Sequence, residues 1–262
     1  MKSKKFDVVV IGSGPGGYVC AIRLAQLGFK TAIVEKYNSL GGTCLNVGCI
    51  PSKSLLDSSH HYDDILNNAK KHGIEINGEV SLDFKKMIER KNDVVSQTVK
   101  GIDFLMSKNQ ISVFNGKASF LENNLIFVEG CDETLSFDKC IIATGSKPVN
   151  LPFINLDKKR IITSTEALSL KEIPKHLIII GGGVIGLELG QVYNRLGSKV
   201  SVIEYSDRIT PFMDKDVSRE LNKVLKKEGI NFYLSHQVFE VKSNEKTVSV
   251  LAKNKKDEVI SF

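Results

Sequence analysis

No apolar run in the 262 residues approaches the roughly 18 residues that a membrane-spanning helix needs. No block of like charge is present either, because 36 Lys and Arg are spread among 30 Asp and Glu, with a formal net charge of +6. Short runs such as KNKK (253–256) are typical of solvated turns. These absences argue against both a membrane and a nucleic acid as partners.

Cysteine is scarce and odd in number, with five residues in the chain. Such usage does not suit a disulfide framework and is typical of a reducing compartment. Cys20, Cys131 and Cys140 have no partner at motif spacing, so we expect them to be buried thiols that behave as small apolar side chains.

The N-terminus, MKSKKFDVVVIG, has the basic start and apolar run of a signal peptide. The apolar run breaks at Gly12 and continues as GSGPGG, which is turn chemistry rather than a long hydrophobic region. We therefore expect a β-strand here, in a cytoplasmic chain.

One unit occurs twice. VVVIGSGPGGYVCAIRLAQLGFKTAIVEK begins at Val8, and LIIIGGGVIGLELGQVYNRLGSKVSVIEY begins at Leu177. Aligning the two copies from these residues superposes five functional positions without a gap. The coinciding residues are Gly12 with Gly181, Gly14 with Gly183, Gly17 with Gly186, Gly28 with Gly197 and Glu35 with Glu204.

Each copy predicts a strand, a glycine turn, an amphipathic helix and a second strand that ends in an acid, which is the dinucleotide-binding βαβ pattern. The first glycine makes the turn, the second lets the backbone approach a pyrophosphate, and the third lets the helix pack on the strand. The pyrophosphate is held at the helix N-terminus. The acid, which follows the first glycine at the same spacing in both copies, accepts hydrogen bonds from ribose hydroxyls. The sequence therefore predicts two dinucleotide sites.

The segment GGTCLNVGC (41–49) places Cys44 and Cys49 between glycines, after the first acidic strand end. A structural disulfide would close too short a loop to gain much entropy. A metal site would need further ligands, and the sequence has no second Cys pair and no His cluster at suitable spacing. A redox-active dithiol is favoured, because two dinucleotides imply electron transfer and a dithiol exchanges two electrons with a flavin.

The segment GGTCLNVGCIPSK, the order of the two fingerprints and IIATGS (141–146) together resemble the disulfide-reducing flavoproteins, the class I pyridine nucleotide-disulfide oxidoreductases. The resemblance covers essentially the whole chain. It implies FAD at the first site, NAD at the second, and most resembles the branch that reoxidises dihydrolipoamide carried on a lipoyl domain of 2-oxo acid dehydrogenase complexes. Runners-up within the family are glutathione and mercuric reductases, and a non-catalytic flavin-binding fragment stands as an alternative from another class.

The resemblance also assigns residues. Cys49 would lie beside the flavin, Cys44 would exchange disulfides with the substrate, and Lys53 and Glu188 would approach each other near the flavin. Ordinary surface charges at these two positions, and a simple turn role for Thr144, are the alternatives. The implied FAD-site residues are Gly12, Gly14, Pro15, Gly17, Glu35, Lys36, Gly41, Gly42, Thr43, Cys44, Lys53, Gly116, Thr144, Gly145 and Ser146. The implied NAD-site residues are Gly181, Gly183, Val184, Ile185, Gly186, Glu188, Glu204 and Val238.

Glu204 bears on the choice of nicotinamide cofactor. An acid at this position binds a free 2′-hydroxyl and repels a 2′-phosphate, and the following residues, Tyr205 and Ser206, supply no arginine. NAD is therefore preferred over NADP.

The fold class predicted is α/β, with two Rossmann-like domains that each combine a parallel sheet and a small antiparallel meander. Residues 1–150 would bind FAD and carry the dithiol, and residues 151–262 would bind NAD. Long helices are expected within 81–110 and 214–229, and a polar linker over 147–175. Complete family members are homodimers with a His-x4-Glu acid–base pair, and none of the five histidines here has Glu at that spacing. The resemblance therefore implies the N-terminal part of a longer enzyme, with both domains incomplete and no activity by itself.

Overall fold

The computed structural model describes residues 2–244 and 247–262. The chain divides into two compact units: unit 1 contains Met1–Pro51 and Asn92–Lys147, and unit 2 contains Ser52–Lys91 and Pro148–Phe262. The segment 52–91 thus groups with the second half of the chain. The assignment of FAD to 1–150 and of NAD to 151–262 stays a prediction.

Unit 1 is built on a six-stranded sheet of order β3-β2-β1-β6-β5-β4. Strands β3, β2, β1 and β6 are parallel, whereas β5 and β4 continue the sheet as an antiparallel meander. The elements that lie wholly in this unit are β1 (Lys2–Ile11), α1 (Pro15–Gln26), β2 (Thr31–Glu35), α2 (Gly42–Val47), β3 (Ser112–Asn115), β4 (Ala118–Glu122), β5 (Leu125–Val128) and β6 (Glu133–Ile142).

The alternating direction of side chains along the central strands explains why this sheet is covered on both faces. Val9 and Val34 pack in one cluster with the meander, whereas Val10 and Ile33 pack in another with α1. Successive side chains of a strand point to opposite faces, so consecutive apolar residues fill two cores at once. The carboxyl ends of β1 and β2, where the first glycine turn and Glu35 lie, are thereby fixed side by side.

Unit 2 contains a parallel sheet of order β7-β8-β9 and an antiparallel sheet of order β10-β11-β12. Two helices have residues in both units: α3 (Cys49–Asn67) and α4 (Phe84–Lys108). The remaining elements are a 3-10 turn (Ala69–His72), α5 (Ser164–Ala167), β7 (His176–Ile180), α6 (Val184–Arg195), β8 (Lys199–Glu204), α7 (Lys215–Lys227), β9 (Asn231–Leu234), β10 (His236–Ser243), β11 (Val248–Asn254) and β12 (Val259–Ser261).

The predicted fold class is confirmed, with two βαβ units that each have a parallel sheet and a meander. One detail differs: in unit 1 the meander is not a separate sheet, because β6 pairs with β1 on one edge and with β5 on the other. The helices expected within 81–110 and 214–229 are α4 and α7. The expected linker, 147–175, contains the short helix α5, which a Thr163–Glu166 capping box begins.

The N-terminal segment forms β1, as the sequence predicts. Within the described residues, no helix has both the length and the hydropathy that crossing a membrane requires. The three cysteines expected to be buried are only half-buried, and Cys131 and Cys140 pack at the edge of the unit 1 core. Burial raises the pKa of the Cys140 thiol, which keeps it protonated and unreactive.

Candidate functional site

The glycine turn of unit 1 is closed by direct backbone contacts that leave no room for a side chain. Gly12 has φ +102°, and a Cβ atom there would overlap the carbonyl oxygen of Ala143, just after β6. A Cβ atom at Gly17 would overlap the carbonyl oxygen of Gly12. Glycine at these positions is therefore required for α1 to pack on β1 and for β6 to end beside the turn.

The second glycine of each turn leaves open space instead. Gly14 is the N-cap of α1 and has no side-chain cap, and a Cβ atom at Gly14 would meet only the Cα of Gly42 at 3.9 Å. Gly183 is the equivalent N-cap of α6, and a Cβ atom there would meet nothing within 4 Å. Helix N-termini with room for a ligand fit the pyrophosphate of a dinucleotide, because their amide groups and the helix dipole attract anions.

The acid of the first copy is buried and held by three donors. Glu35 is 5% exposed. Its Oε2 accepts hydrogen bonds from the Ser13 amide at 2.9 Å and from the Ser13 hydroxyl at 2.6 Å. Its Oε1 accepts from the Tyr37 amide at 3.0 Å. The carboxylate is thus fixed over the glycine turn, and its unused lone pairs are available to ribose hydroxyls.

The acid of the second copy repeats this geometry. Glu204 is 8% exposed, and its Oε2 accepts from the Gly182 amide at 2.6 Å. Its Oε1 accepts from the Ser206 amide at 2.6 Å. Gly182 and Ser206 are the counterparts of Ser13 and Tyr37 in the gap-free alignment of the two copies, so the duplication reproduces individual hydrogen bonds. The one difference is the hydroxyl of Ser13, which glycine at 182 cannot supply.

The predicted dithiol segment starts directly on the first glycine turn. The Gly41 amide donates to the Ser13 carbonyl at 3.0 Å, and a Cβ atom at Gly42 would lie 2.6 Å from the Gly14 Cα. Asn46 secures α2 by donating to the carbonyls of Leu40 and Gly42, both at 2.9 Å.

Cys44 and Cys49 occupy different environments within this segment. Cys44 lies in α2, half-buried against the unit 1 core, and Cys49 begins α3 and is exposed. Gly48 separates the helices, and a Cβ atom there would lie 2.8 Å from the Thr43 carbonyl and 3.2 Å from the Cys44 Cα. Glycine at 48 thus lets the chain fold back tightly between the cysteines. That the two sulfur atoms form a bond stays a prediction.

Lys53 and Glu188 meet within unit 2, as the sequence predicts. The Lys53 ammonium lies 2.7 Å from one carboxylate oxygen of Glu188 and 2.8 Å from the other. Ser52 adds a longer contact of 3.4 Å. The side chains are 58% and 26% exposed, so the pair contributes little to stability. Lys53 lies one helical turn after Cys49 in α3.

The other predicted residues surround the two turns. Gly116 donates to the carbonyl of Glu35 at 2.8 Å and passes too close to the Glu129 carbonyl for a side chain. Val184 and Ile185 are 58% and 60% exposed at the start of α6, whereas Val238 is 7% exposed and belongs to the core of unit 2. Val238 therefore offers little exposed surface to an adenine. The remaining positions lie at the ends of elements: Pro15 begins α1, Lys36 follows β2, Thr43 is in α2, Thr144, Gly145 and Ser146 follow β6, and Gly181 and Gly186 flank the start of α6.

Metal binding finds no support among the side chains that the structure describes, where no group of three or more His, Cys, Asp or Glu could hold an ion.

The curated relatives that this chain matches include several dihydrolipoyl dehydrogenases. It is 44% identical over 257 residues to the mitochondrial dihydrolipoyl dehydrogenase of Schizosaccharomyces pombe, a match that covers 97% of this chain and 50% of that protein. It is 48% identical to the dihydrolipoyl dehydrogenase of Trypanosoma brucei brucei over 86% of this chain and 47% of that protein. The chain thus spans about half the length of the curated relatives it matches.

A solved structure of a disulfide reductase is also similar to this chain. The HOCl-induced flavoprotein disulfide reductase RclA from Escherichia coli superposes with a TM-score of 0.77 at 30% sequence identity, over 97% of this chain and 54% of that one.

The expected cytoplasmic location is wrong. Relatives from Schizosaccharomyces pombe, Pisum sativum, Arabidopsis thaliana and Dictyostelium discoideum are named as mitochondrial enzymes. The inference failed because low cysteine usage reports a reducing environment, which does not distinguish one such compartment from another.

Residues 6–261 match the family model described as pyridine nucleotide-disulphide oxidoreductase, so the match extends over both glycine turns and the dithiol segment. Enzymes of this type use FAD and NAD, in agreement with the two cofactors predicted from the sequence. The chain belongs to the pyridine nucleotide-disulphide oxidoreductase family.

Proposed function

We propose that this chain is the FAD- and NAD-binding part of a dihydrolipoyl dehydrogenase. It would pass electrons from dihydrolipoamide, carried on the lipoyl domain of a 2-oxo acid dehydrogenase complex, to NAD+. The observation that carries the proposal is the dithiol segment, which starts on the backbone of the first glycine turn. Identity of 44% and 48% to dihydrolipoyl dehydrogenases, against 30% to another disulfide reductase, supports this branch of the family.

The electron balance assigns a role to each sulfur. One thiolate of dihydrolipoamide attacks the Cys44 sulfur, the Cys44–Cys49 bond breaks, and Cys49 leaves as a thiolate. The second substrate thiol then displaces Cys44, so the substrate is oxidised to cyclic lipoamide and both cysteines are reduced. FAD would be held at the first glycine turn by the start of α1 and by Glu35, and when bound it would supply two-electron chemistry between the reduced dithiol and NAD+.

The Lys53–Glu188 pair is proposed to supply a fixed positive charge close to the dithiol. An ammonium group can stabilise a nearby thiolate electrostatically. Placement of the pair beside the flavin, homodimer formation and the inactivity of the 262-residue chain by itself also stay predictions.

The preference for NAD is proposed to rest on Glu204. In Glu204→Ala the NADH dissociation constant should rise about 5- to 150-fold, the equivalent of about 1 to 3 kcal/mol for lost bonds to a charged acceptor, while the NADPH dissociation constant changes less. Titration of nucleotide fluorescence measures both constants. Glu35→Ala, which removes the equivalent acid of unit 1, is the matched control and should leave NADH affinity unchanged. Equal losses for NADH and NADPH in Glu204→Ala would show that the acid does not select between them.

The proposed function also predicts which cysteine the flavin covers. Cys49 is the exposed residue and Cys44 the half-buried one, so the proposed exchange role of Cys44 would require FAD to lie over Cys49. Adding FAD to the reduced chain should therefore slow alkylation of Cys49 but not of Cys44. Protection can reach about 100-fold when FAD is present at about 100 times its dissociation constant.

Mass spectrometry of alkylated peptides measures both rates in one sample, and Cys20 serves as an internal reference. Equal protection of Cys44 and Cys49, or protection of Cys44 alone, would contradict the assigned roles.

A further inference from the structure

The internal duplication extends beyond the acids that end the second strand of each copy. When the same gap-free alignment is continued, the loops that follow these acids repeat three further contacts with the glycine turn. In each loop, one backbone amide donates a hydrogen bond to the acid, one apolar side chain is buried, and a second backbone amide donates to the glycine turn. The three equivalent pairs are Tyr37 with Ser206, Leu40 with Ile209 and Gly41 with Thr210.

The third pair closes the loop onto the turn. The Gly41 amide donates to the Ser13 carbonyl at 3.0 Å, and the Thr210 amide donates to the Gly182 carbonyl at 2.8 Å. Both closing residues have left-handed backbones, with φ +96° at Gly41 and +43° at Thr210. Glycine takes this conformation freely, but a β-branched residue such as threonine rarely does.

Thr210 is therefore a backbone outlier at a position where the other copy uses glycine. It is 6% exposed. In the first copy a side chain is impossible, because a Cβ atom at Gly41 would lie 2.5 Å from the Leu45 side chain. In the second copy a buried side chain is present at this position in spite of the unfavourable backbone. Strained residues of this kind cluster at functional sites.

The Thr210 side chain connects the turn to α7. Its hydroxyl lies 2.9 Å from the Ser218 hydroxyl, which is 3.1 Å from the Thr210 carbonyl and donates to it. Ser218 is 1% exposed, in the first turn of α7. Ile209 fills the space beside Gly182, where a Cβ atom would lie 3.2 Å both from Ile209 and from Glu204. A continuous series of hydrogen bonds thus runs from α7 through Thr210 to the glycine turn and ends at Glu204.

We propose that Thr210 is a positioning residue for the nicotinamide dinucleotide, which holds the second glycine turn and Glu204 in the binding geometry by anchoring them to α7 through Ser218. The inference rests on the proposed function, because it assumes that unit 2 binds NAD. Thr210 touches neither the reacting atoms nor the dinucleotide, and it acts through the Gly182 carbonyl.

Three variants test this role. Thr210→Val removes the hydroxyl and keeps the branched shape, Ser218→Ala removes its partner, and Thr210→Ser keeps the hydroxyl. The NADH dissociation constant, measured by nucleotide fluorescence, should rise about three- to tenfold in Thr210→Val, as expected for one lost hydrogen bond. It should rise at least as much in Ser218→Ala, which loses two hydrogen bonds, and stay near that of the wild type in Thr210→Ser. Thr165→Val removes an exposed hydroxyl of the same unit and should have no effect.

Unchanged NADH affinity in Thr210→Val and Ser218→Ala would overturn the inference, even if both variants melt at lower temperature, since that is the pattern of a merely structural contact. Equal weakening in Thr210→Ser and Thr210→Val would overturn it too. If Thr210→Val does not fold, Ser218→Ala carries the test alone, because it leaves residue 210 in place. A folded wild-type chain that binds no NADH would instead overturn the proposed function, and this inference with it.

Discussion

Gly17→Ala should destabilise unit 1 by on the order of 3 kcal/mol and abolish FAD binding. A methyl group at residue 17 would overlap the Gly12 carbonyl oxygen and lie 2.9 Å from the carbon of the same group, so α1 must move away from β1. Backbone atoms cannot rotate aside as a side chain can, which places the cost at the upper end of overpacking effects. A melting temperature lower by roughly 10 °C is expected, with FAD retention measured on the same sample.

Gly16 and Gly186 are matched controls. They separate the steric effect of an added methyl group from the general effect of replacing glycine by alanine. A Cβ atom at Gly16 would meet nothing within 4 Å, so Gly16→Ala should be neutral or stabilising by up to about 1 kcal/mol through helix propensity. In unit 2, a Cβ atom at Gly186 would lie 2.8 Å from the Ile179 side chain, which can move, and 3.2 Å from the Gly181 carbonyl. Gly186→Ala should therefore be tolerated far better than Gly17→Ala. Similar losses in Gly16→Ala and Gly17→Ala would contradict this account of the turn.

Serine at either position 44 or position 49 should eliminate reduction of the flavin by dihydrolipoamide while leaving its reduction by NADH intact. In the proposed electron path the dithiol lies between the substrate and FAD, whereas NADH would deliver hydride to FAD directly. Only the first path would therefore need both sulfurs. The loss is expected to be complete, because a single sulfur cannot form the disulfide that accepts two electrons.

The comparison is best made in single-turnover absorbance measurements with FAD supplied, at about pH 9. There a substrate thiol of ordinary pKa, about 8.5, ionises without a catalytic base. Cys20→Ser is the control, since Cys20 lies on α1 and is not part of the dithiol segment. Flavin reduction by dihydrolipoamide that persists in Cys44→Ser, or loss of reduction by NADH in the same variant, would contradict the proposed order of electron transfer.

The glycine turns and the two acids could be predicted from the sequence because the local backbone geometry at each position requires that residue type. The α4 and α7 helices were also predictable from the sequence. The approach of Lys53 to Glu188 was expected only from family resemblance, since no local pattern joins residues that far apart in the chain.

Other features could not be predicted from local sequence patterns. The role of Thr210 is not predicted from the sequence, because the comparison of the two copies ended at the acids. Threonine, unlike glycine, is also not a residue that indicates a left-handed backbone. Continuing the alignment of the two copies from Glu204 to Thr210 would have found it. The continuity of the unit 1 meander with the parallel sheet depends on the length of β6, and strand pairing across a sheet is not encoded in any short segment. The burial of Val238 likewise follows from tertiary packing.

The central claim is that Cys44 and Cys49 form one redox couple. Equilibrating the chain in a series of dihydrolipoamide and lipoamide mixtures, followed by alkylation and mass spectrometry of the peptide 41–53, tests it most directly. The account predicts that the alkylated fractions of Cys44 and Cys49 fall in parallel as lipoamide increases, with the two residues recovered in one disulfide-linked peptide, while Cys20 stays alkylated throughout. Cys44 and Cys49 that remain alkylatable across the whole series, or that change independently of each other, would contradict the claim.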